Sequence, residues 1–247
     1  MQERHKLRKQ YFNEQGTTSS KYVFPLINRF KSKSRNLSVL EIGCGEGGNL
    51  LPFFESKGFK KIVGVDLSIG KIENAKKYYF DLSDTKTIEF IHSDIYNIKP
   101  SELGQFDVII TRDVLEHIHD QEKFLQFVKP LLKKDGLFFL GFPPWHNPFG
   151  GHQQMCESKI LSKLPYFHLL PTVLYKVVLK AFGESPVRIK NLVEIKETGI
   201  TIERFERILK KTGYNVLSRT LYFINPNYVI KFGLKPRIAN KLISSIP

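Results

Sequence analysis

From residue 37 onward, short apolar runs alternate with segments in which apolar residues recur at helical spacing. The apolar runs are bounded by Gly or Asp and are typical of buried parallel strands. We predict five such strands, at 38–42, 61–66, 87–92, 106–111 and 137–142. Helical patterns fill intervals between them, at 49–56, 69–80 and 121–133. This alternation predicts a parallel sheet with helices on both faces.

Other segments flank or interrupt the alternation. Residues 20–31 predict an amphipathic helix that covers the site mouth, and we expect residues 1–19 to be dispensable for folding. The segment after the fifth strand is too long for an ordinary connection, which indicates an inserted lid. A helix at 201–211 and a strand at 215–224 then resume the pattern. We therefore divide the chain into a basic helical segment (1–36), a core (37–142), a lid (143–198) and a completion of the core (199–247).

The net charge of +14 is unevenly distributed. Residues 1–36 have a charge of +7, residues 37–150 a charge of −3, and residues 151–247 a charge of +10. Basic flanks predict contact with an anionic acceptor or a membrane surface, and solvated surface lysines are the alternative explanation. Two distant cysteines make no disulfide framework, so we expect a cytoplasmic protein. Lysines and prolines interrupt the most apolar stretch, 160–182, which therefore predicts no membrane span.

The strongest chemical signal is the segment from Val39 to Gly48, where a buried strand leads into a glycine-rich turn and a helix. Missing side chains there let a ligand approach the backbone and the helix N-terminus. The glycine spacing also fits a dinucleotide fingerprint, and Asp66 lies at a ribose-binding distance for either class. Glu41 inside the strand end and a second acidic strand end at Asp94 favour a different ligand.

Four segments in a fixed order distinguish the two classes: 39–48, 92–95, 106–118 and 131–137. Together they resemble the class I S-adenosylmethionine-dependent methyltransferases over about residues 37–142. The resemblance implies an α/β fold: a Rossmann-like, doubly wound, mostly parallel seven-stranded sheet, here with the lid inserted after the fifth strand. It also implies S-adenosyl-L-methionine as the cofactor and S-adenosyl-L-homocysteine as its product.

The resemblance implies a role for each matching residue. Glu41 and the loop residues Gly43, Cys44, Gly45 and Gly47 should hold the methionine end, with Glu41 near the ammonium group. Asp66, followed by Leu67, should bind the ribose hydroxyls. Asp94 should bond the adenine amine, and Ile95 should lie behind the ring. Thr111 and Arg112, at the end of the fourth strand, should face the cofactor and the acceptor.

Two histidines lie on the loop that leaves the fifth strand, beside the expected position of the transferable methyl group. Because the carboxyl ends of parallel strands line the binding crevice, we predict His146 or His152 as the catalytic base or acceptor-orienting group. The alternative is a rigid loop in which both histidines only bond to backbone atoms.

Asp113, Glu116 and His117 are spaced for one face of a helix. Similar acid-x-x-Glu-His clusters bind a divalent metal in coenzyme Q biosynthetic O-methyltransferases and in small-RNA 2′-O-methyltransferases. This chain has Asp113 where a glutamate is usual, so we assign no metal and keep these three residues as candidate ligands. His146 and His152 are the side chains that would complete such a site.

The favoured function is methyl transfer to a small-molecule acceptor, such as a sugar, a lipid-linked compound or a secondary metabolite. The basic flanks suggest an RNA methyltransferase as an alternative, and a non-catalytic S-adenosylmethionine-binding module is another. We expect no nucleic-acid partner, because no RNA-binding module is visible and the lid is apolar. Peripheral contact with a membrane is compatible with the charge pattern, and the oligomeric state is not predicted.

Overall fold

The computed structural model describes residues 7–32, 34–82 and 88–239. The predicted first residue of the third strand, Thr87, lies outside these ranges, as do the ends of the two basic flanks, at 1–6 and 240–247. Within the described part of the chain, no helix is long and apolar enough to cross a membrane.

Five parallel strands form the central sheet, in the order β3–β2–β1–β4–β5. They are β1 (Leu37–Ile42), β2 (Phe59–Asp66), β3 (Ile88–His92), β4 (Phe106–Arg112) and β5 (Leu132–Gly141). All six residues of β1 are buried, as expected for a central strand covered on both faces. The strand order reverses between β1 and β4, and this reversal opens a crevice at the carboxyl ends of the strands.

Helices cover both faces of the sheet, as the alternating pattern predicts. One face packs against α1 (Arg8–Thr18), α2 (Phe24–Lys31), α3 (Leu51–Glu55) and α4 (Ile69–Phe80). The other face packs against α5 (Pro100–Leu103), α6 (Gln121–Val128) and α9 (Ile202–Thr212). Each layer has its own buried apolar cluster, so the doubly wound α/β prediction is confirmed.

The N-terminal helical region begins earlier than the sequence pattern predicts. Helix α1 continues through a π turn at Ser19–Val23 into α2, so the helical region starts at Arg8 rather than at Ser20. Phe12 in α1 is 4% exposed and belongs to the core, and Ser19 is fully buried. A deletion of residues 1–19 would remove these two buried side chains, which argues against the expectation that residues 1–19 are dispensable for folding.

Residues 143–198 form a small helical insertion after β5. It contains three 3₁₀ turns followed by α7 (Thr172–Ala181) and α8 (Pro186–Thr198), packed around a separate apolar cluster that includes Leu161, Tyr175 and Leu192. The Gln121 amide donates to the Thr198 carbonyl at 2.7 Å, and this bond fixes the end of the insertion to α6.

The predicted seven-stranded sheet is wrong: within the described residues, the central sheet has five strands. The predicted strand at 215–224 is reduced to β6 (Tyr222–Ile224), which pairs antiparallel with β7 (Arg237–Ile238) in a separate two-stranded sheet. Between them Asn227–Phe232 forms helix α10. Pro226 fixes a helical φ of −51° and lacks a backbone donor, so the chain turns into a helix there instead of extending β6.

Candidate active site

The glycine-rich loop after β1 is held tightly against the neighbouring strands. The amides of Gly43 and Cys44 both donate to the Val65 carbonyl, at 2.8 and 3.0 Å. A Cβ at Gly43 would lie 2.3 Å from the Val114 side chain, and Gly43 has a φ of +75°. Gly47, with a φ of +80°, is packed similarly against the Phe90 ring. Larger residues at either position would force the loop out of its present path.

Helix α1 packs on the outer side of the same loop. Arg8 forms an ion pair of 2.7 Å with Glu46, whose side chain is buried. A Cβ added to Gly48 would lie 2.5 Å from the Phe12 carbonyl oxygen, so the helix and loop backbones are in close contact. The helical region thus adjoins the glycine-rich loop through α1, which precedes the predicted segment 20–31, and the Ser19 hydroxyl donates to the Asn49 carbonyl at 2.8 Å.

Asp66 lies at the carboxyl end of β2 and faces the glycine-rich loop. Its Oδ2 accepts a hydrogen bond from the Gly45 amide at 2.8 Å, and its Oδ1 accepts one from the Ser68 amide at 2.9 Å. Each carboxylate oxygen keeps further acceptor capacity for a ligand. The next residue, Leu67, is 70% exposed, which leaves an apolar surface beside the carboxylate.

The third acidic strand end lies after β3. Asp94 caps a 3₁₀ turn by accepting a hydrogen bond from the Tyr96 amide at 3.0 Å. Ile95 is buried in the apolar cluster that also includes Val65. Asp94 and Ile95 therefore lie at the same edge of the sheet as Asp66, because β2 and β3 are parallel neighbours.

Glu41 is fully buried at the carboxyl end of β1 and begins a polar chain. Its Oε1 accepts a hydrogen bond of 2.7 Å from the Asn49 amide, and the Asn49 oxygen accepts from Arg112. Arg112 also donates to Asn227 in α10 at 2.8 Å. Burial raises the pKa of Glu41 to about 8, while the Asn49 hydrogen bond and the Arg112 charge oppose that increase. Among the described residues, Glu41 Oε2 has no hydrogen-bond partner.

A small cavity lies at the Arg112 end of this chain, between α1 and α10. Its lining includes Tyr11, Gln15, Thr18, Arg112 and Asn227. Thr111, the residue before Arg112, is buried, and its hydroxyl has no hydrogen-bond partner within the described ranges. Polar groups therefore converge beside the glycine-rich loop, where a zwitterionic ligand end needs them.

A second polar cluster lies beyond the carboxyl end of β4. The Nε2 atoms of His117 and His152 are each 3.9 Å from the same oxygen, Oε1 of Glu116. Glu116 is 1% exposed, and neither of its carboxylate oxygens has a hydrogen-bond partner in the described part of the chain. Burial and the nearby Asp113 charge raise the pKa of Glu116 well above its usual value. These three side chains are close enough together to hold one metal ion.

The side chains that the structure brings together in this cluster differ from those predicted from the sequence. Asp113 has a φ of +55°, so no helix runs through it, and the segment 115–117 is a single 3₁₀ turn. Asp113, Glu116 and His117 therefore do not share the helix face that a helical segment would give them, and Asp113 is not among the grouped ligands. His152 takes the third position. His146 is exposed and is not among the grouped ligands.

The insertion holds His152 in an unusual backbone conformation. His152 has a φ of +56° and a ψ of +33°, which is uncommon for a residue other than glycine. The neighbouring Gln153 amide bonds the buried His168 Nδ1 at 2.7 Å, and His168 Nε2 bonds the Trp145 carbonyl at 2.8 Å. A Cβ on Gly151 would lie 2.3 Å from the His168 side chain. The sequence analysis missed His168, whose role depends on these long-range contacts.

Comparison with known proteins identifies relatives. A family model described as a methyltransferase domain matches residues 12–158. The uncharacterized protein RP028 of Rickettsia prowazekii is 34% identical over 208 residues, which are 72% of this chain and 81% of that protein. The ubiquinone biosynthesis O-methyltransferase of Pelagibacter ubique is 31% identical over 120 residues. That match covers 47% of this chain and 48% of the relative, so the chain matches about half of that enzyme.

Solved structures agree on the fold. The plantazolicin methyltransferase BpumL, in complex with a pentazolic desmethylPZN analog and SAH, has a TM-score of 0.52 at 19% identity. The match covers 83% of this chain and 63% of that one. It extends well beyond the first 142 residues of this chain, so it includes part of the C-terminal region as well as the sheet.

Proposed function

Because this chain belongs to the class I S-adenosylmethionine-dependent methyltransferases, we propose that it methylates a hydroxyl group of a small molecule beside a divalent cation. The ligands of that cation are Glu116, His117 and His152. The observation that supports this proposal is a buried carboxylate with two unpartnered oxygens next to two imidazole nitrogens.

The cofactor residues fit S-adenosylmethionine by their chemistry. Glu41 Oε2 is a buried acceptor without a protein partner, and a ligand ammonium group is the donor that such an oxygen requires. Asp66 keeps acceptor capacity for vicinal hydroxyls, and exposed Leu67 offers apolar contact. We assign Gly43, Cys44, Gly45 and Gly47 to the methionine end, Asp94 and Ile95 to the adenine, and Thr111 to the space between cofactor and acceptor. Bound S-adenosylmethionine supplies a methyl group on a positively charged sulfur.

The cation assignment follows from charge. A buried carboxylate without a partner is costly when ionised, and a cation between Glu116 and the two imidazoles removes that cost. Two imidazoles and one carboxylate are a ligand set for a first-row divalent ion and leave positions open for an acceptor. Such an ion would lower the pKa of a bound hydroxyl. His117 and His152 would hold the ion and so fix the position of the acceptor oxygen, and the insertion that presents His152 would shield the reaction from water.

The acceptor class is a small hydroxylated compound. The ubiquinone biosynthesis O-methyltransferase of Pelagibacter ubique, which matches half of this chain, is named for methylation at oxygen. Phe142, Trp145 and the glycines at 141, 150 and 151 precede His152 at the end of β5 and on the loop after it, and this mixture of aromatic and flexible residues suits an acceptor pocket. Residues 143–198 thus serve as the acceptor-covering segment of the enzyme.

Metal binding and methyl transfer provide the test. Metal-free protein, prepared with EDTA, is titrated with Mn²⁺ and then assayed for transfer of labelled methyl to a panel of phenols, catechols and sugars. We expect one Mn²⁺ per chain, lost in Glu116→Gln and His152→Ala and retained in His146→Ala. The last variant is a matched control, because His146 lies on the same loop but is exposed and outside the cluster.

Two results contradict the proposal in different ways. Methyl transfer that survives EDTA but is lost in His152→Ala identifies the histidine as a general base without a metal. Methyl transfer that is unaffected by both Glu116→Gln and His152→Ala excludes the cluster from the reaction.

A further inference from the structure

Helix α7 in the insertion presents apolar side chains in two opposite directions. Tyr175 and Leu179 point inward and are fully buried. Val173, Leu174 and Val177 point outward and are 74%, 52% and 55% exposed. A surface helix normally places polar residues on its solvent side. The outward face of α7 therefore lacks the composition of a surface that is in permanent contact with water.

The chain just before α7 extends this apolar surface. Four large apolar residues of that segment are exposed: Ile160, Leu164, Tyr166 and Leu169. Three of them line an open groove that runs from Leu164 to Pro171 and ends at the start of α7. Together with the outward face of α7 they form the α7 surface, the residues 160–177 that expose apolar side chains. Exposed apolar clusters of this size mark interaction sites.

The charges around the α7 surface all have one sign. Lys159, Lys163, Lys176 and Lys180 are exposed, and no Asp or Glu occurs between residues 158 and 183. Lys176 and Lys180 are one turn apart on α7, beside the exposed valines.

The two acids that flank this stretch already have partners. Buried Glu184 accepts hydrogen bonds from the Glu157 and Ser158 amides, both at 2.9 Å. Glu157 accepts one from Ser185 and lies 3.8 Å from Arg188. The uncompensated charge of the α7 surface is therefore positive.

We propose that the α7 surface binds the headgroup and upper acyl region of a membrane that contains anionic lipids. The apolar side chains enter the interface, while the lysine stems extend along it and place their ammonium groups at the lipid phosphates. A second copy of this chain is a poorer occupant, because a twofold contact brings identical lysine groups together. Lysine is also depleted at the centre of protein interfaces.

This inference does not depend on the proposed reaction, because vesicle binding is measured without cofactor, metal or acceptor. The full chain is centrifuged with vesicles of pure phosphatidylcholine, and with vesicles in which a third of the lipid is phosphatidylglycerol. We expect binding to the anionic vesicles only. Each lysine near an anionic surface contributes about fivefold, so Lys176→Gln/Lys180→Gln should weaken binding by at least about tenfold.

The apolar contribution is tested with Val173→Asp/Val177→Asp, which should reduce binding to anionic vesicles by at least about tenfold. Val216→Asp/Leu217→Asp is the matched control, since these neighbouring residues are 59% and 62% exposed outside the insertion. Lys57→Gln/Lys60→Gln is the charge-matched control, because both lysines are exposed near the start of β2, outside the insertion. If the test and control variants lose vesicle binding to the same extent, the proposal is overturned. A lipid-free dimer that Val173→Asp/Val177→Asp dissociates also overturns it and identifies a second copy as the occupant.

Discussion

Two buried glutamates lie at the carboxyl ends of neighbouring strands and differ in what surrounds them. Glu41 lies near the end of β1 and accepts a hydrogen bond from Asn49, which Arg112 holds in place. Glu116 follows β4 and has two imidazoles at 3.9 Å but no hydrogen bond from the described residues. Burial raises the pKa of Glu41 to about 8 and that of Glu116 well above its usual value.

The difference indicates how much positive charge each side of the crevice requires. On the Glu41 side, which we assign to the cofactor, one carboxylate oxygen is already partnered and Arg112 lies nearby, so under the proposed function a single ligand ammonium would complete the site. On the Glu116 side, which we assign to the acceptor, neither carboxylate oxygen has a partner among the described residues, and the proposed divalent ion would provide the larger compensation. The protein alone therefore compensates most of the charge of Glu41, whereas compensation of the charge of Glu116 depends on a bound ligand.

Phe12→Ala tests how strongly α1 supports the glycine-rich loop. Phe12 is 4% exposed and meets the Tyr79 ring edge-on, with centroids 5.7 Å apart. Its truncation should lower the free energy of unfolding by about 3–5 kcal/mol and weaken S-adenosylhomocysteine binding. Phe80→Ala is the control: Phe80 is 74% exposed, so a change within about 0.5 kcal/mol is expected in urea denaturation. If Phe12→Ala and Phe80→Ala lower the free energy of unfolding by similar amounts, α1 does not stabilise the loop.

Asp66→Ala should weaken cofactor binding and leave metal binding unchanged. Loss of charge-assisted hydrogen bonds to the ribose, at about 1.5–3 kcal/mol each, should weaken S-adenosylhomocysteine binding by about 10²-fold or more in calorimetry. Binding of Mn²⁺ should persist, because Asp66 lies outside the Glu116 cluster. Asp81→Ala, at the exposed end of α4, should change neither. Retained cofactor binding in Asp66→Ala would contradict the assignment of the ribose site.

Glu116→Gln should stabilise the metal-free protein. A carboxyl group with a raised folded-state pKa costs stability as the pH rises above its unfolded pKa of about 4.3, and the cost increases until the folded-state pKa is reached. Glutamine cannot ionise, so the variant should gain about 1–3 kcal/mol near pH 7 and nothing near pH 4. Urea denaturation in EDTA measures this difference, with Glu102→Gln as an exposed control. With Mn²⁺ present, the wild-type protein should be more stable than Glu116→Gln. If the variant stays the more stable of the two, Glu116 is excluded as a ligand.

The cofactor side could be predicted from sequence because its geometry is local. Helix α4 spans Ile69–Phe80, with the bounds that the apolar spacing predicts. The glycine-rich loop follows directly from β1, and the parallel arrangement brings the carboxyl ends of β1, β2 and β3 to one edge. Strand periodicity and turn chemistry therefore place Glu41, Asp66 and Asp94 without knowledge of the rest of the chain.

The acceptor side depends on contacts between distant segments, which no local pattern records. His152 reaches Glu116 because His168 fixes the adjacent Gln153, and that bond depends on how the insertion folds. The left-handed conformation of Asp113 ends the helical spacing on which the prediction for residues 113–117 relied. Similarly, β6 pairs with the distant β7 instead of the central sheet, although its apolar residues are compatible with a sixth strand.

The smallest of these effects is a pH dependence of cofactor binding that belongs to Glu41 alone. If Glu41 must ionise to accept a ligand ammonium, its pKa of about 8 makes that ionisation part of the binding equilibrium. Affinity for S-adenosylhomocysteine should then rise by about tenfold between pH 6 and 7, and level off near pH 8 as the ligand amine itself loses its proton. Calorimetry in buffers of different ionisation enthalpy should detect release of about one proton near pH 6.5.

Glu41→Gln should remove both the rise of affinity with pH and the proton release, and should lower affinity by about tenfold at pH 7.5. Glu46→Gln is the matched control, because Glu46 is equally buried on the same loop but forms an ion pair with Arg8. The slope should remain in that variant. A slope that survives in Glu41→Gln would assign the titration to another group and leave Glu41 a structural partner of Asn49.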